Sequence, residues 1–317
     1  MNQLTVTVKH RQDEAEDICS FELVPLPGEV LPPFTAGAHI DVHLAPGLTR
    51  QYSLCGDPAE RHRWRIAVLR EPASRGGSAG MHAMAEGTQL KVSAPRNQFG
   101  LVPASRTLLF AGGIGVTPIL AMACSLHAES QPFELHYCAR SRSRMAFRKE
   151  MASAPFAAQV HAHADDDAAD QLFDARAVLA TPQPGTHLYV CGPAGFMNHV
   201  LQTARELGWP ESQLHREFFS AEPIDTTQSS AFEVQLAHSG VTLAIPENRT
   251  VLEVLLDNGI DVEYSCESGI CGSCLTPVLD GVPDHRDSYL TDEEHAANNQ
   301  FTPCCSRSRT PRLVLAI

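Results

Sequence analysis

Cys266, Cys271 and Cys274 stand at C-x4-C-x2-C spacing in the stretch Cys266-Glu-Ser-Gly-Ile-Cys271-Gly-Ser-Cys274, and Cys304 follows 30 residues after the last of them. Nothing else in the chain limits its fold as strongly. Three thiols crowded on a glycine-rich loop would pack poorly as ordinary buried side chains. Their spacing is the plant-type pattern for a 2Fe–2S cluster. Such a loop wraps its backbone N–H groups round the sulfurs, and Gly269 and Gly272 allow the positive φ and close approach this needs. A fourth ligand drawn from a distant segment also staples the domain together. The alternative, a structural zinc site, usually pairs two C-x2-C knuckles, whereas this spacing is asymmetric. Cys304 and Cys305 are adjacent. In an extended segment neighbours face opposite sides, so only one would reach the metal, and the spacing favours Cys304.

The rest of the composition sets bounds. A chain of 317 residues suggests two or three domains. No window approaches 18 uninterrupted apolar residues, so no membrane span and no membrane partner are expected. The opening Met-Asn-Gln-Leu-Thr-Val lacks a charged region followed by an apolar core, so no signal peptide is expected. Ten cysteines without an export signal point to a reducing compartment, the cytoplasm. The net charge of −13 argues against a nucleic-acid partner and suits docking to a protein with a basic patch.

Residues 1–103 read as an antiparallel β-barrel. Leu4–Lys9 and Ile18–Leu23 alternate polar and apolar, as do later runs at 37–44, 50–54 and 64–69, with Gly, Pro and Asp clusters between them. In Arg50-Gln-Tyr52-Ser53, alternation puts Arg50 and Tyr52 on one face and Ser53 on the other. An arginine and a phenol together can hold a phosphate and lie against an aromatic ring, while Ser53 can donate to a ring nitrogen. Arg75-Gly76-Gly77-Ser78 leads into a short helix, where exposed backbone N–H groups suit an anion.

Residues 104–222 read as an α/β domain with a parallel sheet. Arg106–Ala111 contains a continuous apolar run, as in a doubly covered parallel strand, followed by Gly112-Gly113-Ile-Gly115-Val-Thr117-Pro118 and a helix over 119–126. Strand, glycine turn and helix is the dinucleotide-binding layout, although the motif is not G-x-G-x-x-G. A second strand, Phe133–Cys138, runs into Arg140, Arg142 and Arg144. A third, Thr186–Val190, runs into Cys191-Gly192-Pro193-Ala-Gly-Phe196. Glycine-rich turns therefore collect at one sheet edge, where open α/β sheets bind ligands. Residues 223–231 are polar, lack periodicity and read as a linker. Residues 232–317 open with a hairpin, continue with a helix capped by Thr250 and Glu253, carry the cysteine loop, start another capped helix at Thr291 and close with a strand.

Taken in order, R-x-Y-S-L, R-G-G-S, G-G-I-G-x-T-P, C-G-P-x-x-F and C-x4-C-x2-C…C resemble the phthalate dioxygenase reductase and vanillate O-demethylase reductase family over the whole chain. The resemblance implies a flavin barrel, an α/β NAD domain and an α+β β-grasp ferredoxin domain. It implies FMN rather than FAD, NADH as donor, and a terminal Rieske-type oxygenase as acceptor. It places Arg50, Tyr52 and Ser53 on FMN, with Ser53 near the flavin N5. Ala67, Val68 and Leu69 would pass backbone groups along the ring, Leu69 standing where the family commonly has lysine. Arg75, Gly76, Gly77 and Ser78 would hold the phosphate. Gly112, Gly113, Gly115, Thr117 and Pro118 would line the nucleotide cleft, completed by Cys191, Gly192, Pro193 and Phe196. Phe219 matches an aromatic beside the flavin, so Ser53, Cys191 and Phe219 are the expected catalytic positions. The tail Pro303-Cys304-Cys305-Ser-Arg307 matches the family's C-V-S-R, which supports Cys304 as the ligand and leaves Cys305 a free thiol.

The expected chemistry is a relay in which an electron pair from NADH leaves one electron at a time through iron. Positioning does the work, and no acid–base dyad is expected. Among the 15 histidines no metal site stands out: His39 and His43 lie on one expected strand, and His285 is superfluous where four cysteines suffice. Arg140, Arg142 and Arg144 could read a 2′-phosphate, the acidic run 165–167 could repel one, and the resemblance favours NADH. The remaining alternatives are a reductase for another acceptor, such as a diiron monooxygenase, and a redox-sensing module that turns nothing over.

Overall fold

The computed structural model describes residues 3–45, 48–72, 74, 76–219 and 230–317. Arg75 and most of the expected linker at 223–231 lie outside the described residues. The chain divides into two units, Met1–Glu217 and Phe218–Ile317.

The first unit begins with β1 (Gln3–Ala15), β2 (Ile18–Pro25), β3 (Ala38–Ala45), β4 (Leu48–Ser53), β5 (Trp64–Leu69), α1 (Gly77–His82), β6 (Gln89–Ser93) and β7 (Arg96–Asn97). All these pairings are antiparallel, in the order β4-β3-β6-β1-β2-β5, with β7 on β3. Period-two alternation sends Val6, Val8, Phe21, Leu23, Ile40 and Val42 inward, all fully buried. Each such side chain contributes about 1.5–3 kcal/mol on leaving water. The first and last strands of that order meet at a Leu54–Ile66 bridge, beside which Cys55 N donates to Arg65 O at 2.9 Å, closing the sheet into a barrel.

The same unit continues with β8 (Arg106–Gly112), α2 (Val116–Ala128), β9 (Phe133–Ala139), α3 (Arg148–Ser153), β10 (Val160–Ala164), α4 (Ala175–Val178), β11 (Thr186–Cys191), α5 (Ala194–Glu206) and β12 (Leu214–Glu217). These five strands form a parallel sheet in the order β10-β9-β8-β11-β12. The chain moves outward from β8 in one direction, then returns to lay β11 on its other side. The gap between the β8 and β11 ends is therefore the topological switch point of the sheet. One apolar core joins barrel and sheet: Ala36, Cys55, Ala67 and Phe99 pack with Leu109, Val116, Tyr137 and Cys191.

The second unit contains β13 (Phe232–Leu236), β14 (Thr242–Ile245), α6 (Val251–Asp257), β15 (Thr276–Asp280), β16 (Pro283–Asp284), α7 (Asp292–Ala297), β17 (Gln300–Phe301), β18 (Arg307–Ser308) and β19 (Arg312–Leu315). Its mixed sheet runs β14-β13-β19-β15-β17, with the closing strand β19 parallel to β13 in the middle, as a β-grasp requires. Both expected helix starts carry full capping boxes: Glu253 N donates to Thr250 Oγ1 at 3.1 Å and Thr250 N to Glu253 Oε2 at 2.8 Å, with Thr291 and Glu294 repeating the arrangement. The α6 face carrying Val251, Leu252, Val254 and Leu255 is buried against this sheet. Among the described residues no helix is long and apolar enough to cross a membrane.

Candidate functional site

On the barrel, Ser53 ends β4 and is buried, while Tyr52 packs against the barrel core, where burial raises its phenol. Arg50 extends over the start of α1. A Cβ on Gly77 would meet the Arg50 side chain at 2.9–3.3 Å, so only glycine lets the arginine lie against that backbone. Gly76 has φ +92°, which a side chain would strain. Ser78 Oγ accepts from Glu71 N at 3.0 Å. Strand alternation aims the backbone groups of Arg65, Ala67 and Leu69 at the edge opposite β2. Past the Leu54–Ile66 bridge no further strand pairs there among the described residues. Ala67, Val68 and Leu69 thus combine a rigid strand with an open edge. Val68 O also accepts from His82 Nε2 at 2.9 Å.

At the switch point, the turns after β8 and β11 touch backbone to backbone. The Ala111–Cys191 pair is in register. A Cβ on Gly115 would collide with the Cys191 carbonyl, and one on Gly112 would meet Phe196 at 2.7 Å and Pro193 at 3.0 Å. Glycine at these positions is a packing requirement, and it keeps the crevice floor free of side chains. Thr117 is buried and donates to Ile114 O at 3.0 Å, which fixes the turn that carries Gly113 and leads into Pro118 and α2. Of the three arginines past β9, Arg142 pairs with Asp167 through two bonds of 2.7 and 2.9 Å, and Arg144 pairs with Glu16 at 2.6 Å. Arg140 is exposed at the sheet edge.

Barrel and sheet meet at a residue that sequence reasoning passed over. Glu217, the last residue of β12, accepts from Ser53 Oγ at 3.5 Å and stands in register beside Cys191. Part of its surface stays accessible, yet its carboxyl is desolvated, which pushes it up to about 8 against the pull of the Ser53 hydroxyl. Burial likewise holds the Cys191 thiol well above its ordinary value. A carboxyl that stays protonated at neutral pH sits where perturbed groups mark functional sites. The string Glu217-Phe-Phe219 shows a carboxylate beside the aromatic, but no local pattern marks it until β12 lies beside β11. Phe219 belongs to the second unit and is 39% exposed.

In the second unit the cysteines converge. The Cys266 sulfur lies within hydrogen-bonding reach of those of Cys271 and Cys304, and the Cys304 sulfur also reaches Cys274. Glu267, Gly269 and Gly272 all take positive φ, curling the loop, and Ser273 N donates to Cys271 Sγ at 3.4 Å. The Tyr289 ring lies against Gly272 where a Cβ would stand. Four gathered sulfurs with an inward-pointing N–H fit an iron–sulfur cluster. The expectation that Cys304 and Cys305 face opposite ways does not hold, because the segment is a turn and not a strand: Cys305 N and Ser306 N both donate to Thr302 O, at 3.2 and 2.9 Å. Cys305 is therefore buried beside Cys304, with Thr302 Oγ1 at 3.2 Å and its sulfur beneath Gly269.

Known proteins carry the same arrangement. A family model described as a 2Fe-2S iron-sulfur cluster binding domain matches residues 234–309. One described as the N-terminal domain of dimethylamine monooxygenase subunit DmmA-like proteins matches residues 95–214. Vanillate O-demethylase oxidoreductase of Pseudomonas putida is 54% identical over 98% of this chain and 99% of its own. Phthalate dioxygenase reductase of Burkholderia cepacia is 40% identical over 98% and 97%. A solved phthalate dioxygenase reductase, titled as a modular structure for electron transfer from pyridine nucleotides to [2Fe-2S], superposes with a TM-score of 0.78 at 40% identity, over 100% of this chain and 98% of that one. The chain belongs to this family of oxygenase reductases, electron-transfer oxidoreductases with a C-terminal 2Fe–2S ferredoxin domain.

Proposed function

We propose that the chain takes a hydride equivalent from NADH, uses FMN and its 2Fe–2S cluster, and delivers single electrons to a terminal Rieske-type oxygenase. The observation that carries this reading is the meeting of Ser53 with Glu217 beside Cys191, at the mouth of the glycine-floored switch-point crevice. When bound, flavin and cluster together supply the conversion of an electron pair into single electrons.

The chain's residues position and shield. Residues 1–103 form the flavin domain, 104–222 the nucleotide domain and 232–317 the ferredoxin domain. Arg50, with Gly76, Gly77, Ser78 and Arg75, holds the flavin phosphate, and the open β5 edge at Ala67, Val68 and Leu69 borders the ring with Tyr52. Glu217 fixes the direction of the Ser53 hydroxyl and, protonated at neutral pH, adds no charge beside Cys191. Gly112, Gly113, Gly115, Thr117, Pro118, Arg140, Gly192, Pro193 and Phe196 shape the nucleotide crevice, and the family resemblance assigns Phe219 to the flavin. Cys266, Cys271, Cys274 and Cys304 hold the cluster. NADH over NADPH is supported by the ion pairs that occupy Arg142 and Arg144. FMN over FAD is what the family resemblance carried by the R-x-Y-S-L and R-G-G-S motifs implies. None of the ten cysteines is paired in a disulfide, which supports a cytoplasmic setting. The acidic surface suits a partner with a basic patch.

Anaerobic NADH should bleach the flavin bands and then raise a rhombic EPR signal from the cluster. Acid extraction should release FMN, and a Rieske-type oxygenase should turn over when the two are mixed. Release of FAD, or a spectrum that NADH leaves unchanged, would overturn the reading.

A further inference from the structure

Four polar side chains share one face at the outer edge of the parallel sheet. Glu134 and His136 are two apart on β9, and His161 and His163 two apart on β10. The parallel register sets His136 beside His161, so all four point to the same side. His136 is wedged between stacked rings, with Phe110 at 5.4 Å and His161 at 4.9 Å between centroids.

The proton positions follow from the partners. His163 Nδ1 lies 2.9 Å from Gln171 O. A carbonyl only accepts, so Nδ1 carries a hydrogen, and in that tautomer His163 Nε2 is the acceptor. His136 Nδ1, 3.2 Å away, must then be the donor to it. That leaves a bare lone pair on His136 Nε2. This side chain is only 7% exposed, and Nε2 has no hydrogen-bond partner. What it faces, at 3.9 Å, is Glu134 Oε2, another acceptor, while Glu134 Oε1 is taken by Arg106 at 2.7 Å. Two acceptors turned toward each other in a half-dry site call for a cation.

The geometry points to a divalent-metal site, suited to Zn2+, made by Glu134, His136 and His161 and bridging β9 to the edge strand β10. One donor atom from each lies within 4.8 Å of the others. Tetrahedral zinc wants separations of about 3.3 Å. Glu134 is partly exposed and His161 exposed, so both have room to close by side-chain rotation. Two imidazoles and a carboxylate suit zinc and leave a position for water. The His136–His163–Gln171 chain is the outer support that a ligating histidine characteristically has, since it fixes the tautomer that frees Nε2. The other histidine cluster, His285 with His295 and Asp287, is less suited. Asp287 already accepts from Leu290 N, Tyr289 N, Ser306 Oγ and His295 Nε2.

The test is zinc titration of the cluster-loaded full chain against a fluorescent zinc chelator, with iron content and visible absorbance monitored throughout. The expected result is one zinc per chain with iron unchanged, and a rise in the unfolding temperature of the first unit. His161→Gln and Glu134→Gln should each weaken binding at least about tenfold, equivalent to about 1.4 kcal/mol. His215→Gln, which breaks the His187–His215 pair at 2.8 Å on the opposite face of the sheet, should leave it unchanged. Absence of zinc uptake by the wild type, full retention in His161→Gln, or loss in His215→Gln would each overturn the assignment.

Discussion

Ser53 Oγ donates across 3.5 Å to Glu217 Oε2, tying the last residue of β4 to the last residue of β12 although 164 positions separate them. The bond brings the barrel's hydroxyl to the mouth of the crevice between the β8 and β11 turns. Removing it should disturb alignment more than folding. Ser53→Ala is expected to slow NADH-driven flavin bleaching about tenfold, the effect of losing roughly one hydrogen bond. Stopped-flow absorbance measures this, and flavin and iron contents should equal those of the wild type.

Glu217 gives the protein a pH signature. Folding raises its carboxyl from 4.5 to about 8. Between those values the native state binds more protons than the unfolded one, so the unfolding free energy falls as pH rises. Glu217's contribution is complete below pH 4.5 and is lost as pH passes about 8. Glu217→Gln has no such proton to lose. Its unfolding midpoint should decline less steeply than that of the wild type from pH 5 to pH 8.5, measured by denaturant titration at about half-unit steps.

Gly115 has no room for a side chain. A Cβ there would strike the Cys191 carbonyl and the Gly192 nitrogen, both main-chain atoms that cannot rotate away. Gly115→Ala is expected to destabilise the first unit by about 1–3 kcal/mol. It should also raise the KM for NADH more than it lowers kcat, because the turn it displaces is the crevice floor. Thermal unfolding and steady-state kinetics read the two effects separately.

The adjacent thiols should part company on substitution. Cys304→Ser removes a sulfur that reaches both Cys266 and Cys274, and should abolish the cluster's visible spectrum and most bound iron. Cys305→Ala removes a sulfur that packs under Gly269 and reaches Thr302, Ser306 and Cys304, but none of Cys266, Cys271 or Cys274. It should keep full iron content, with a stability loss of about 1 kcal/mol. Iron analysis and EPR distinguish them.

Asp167 holds Arg142 by two bonds and also accepts from Ala164 N at 2.8 Å. Asp167→Ala frees the guanidinium beside Arg140. The expected outcome is a rise of about two- to fivefold in the NADPH-to-NADH ratio of kcat/KM, in keeping with the modest worth of an ion pair whose arginine is exposed. Parallel assays with the two nucleotides check it.

Local signals carried much of the architecture. Alternation announced β1 to β5, the apolar run of β8 its place inside a parallel sheet, and Thr250 with Glu253 the start of α6, because each depends on neighbours within a few residues. Short, weakly apolar β10 and β12 carry less signal: Val160-His-Ala-His-Ala164 alternates, but over only five residues with one large apolar side chain, too little to mark a strand until β9 lies beside it.

The sequence by itself determined the cysteine spacing, the glycine turns and their order, and with them the family. Chain order and short spacings are one-dimensional facts, and backbone sterics translate them directly. Only the tertiary structure decided that Glu217 meets Ser53, that a turn puts Cys305 beside Cys304, and that three histidines and a glutamate gather on one sheet face. These depend on strand order, register and burial. A lone pair or a carboxyl acquires its character from the dielectric and the partners around it, and the fold alone supplies both.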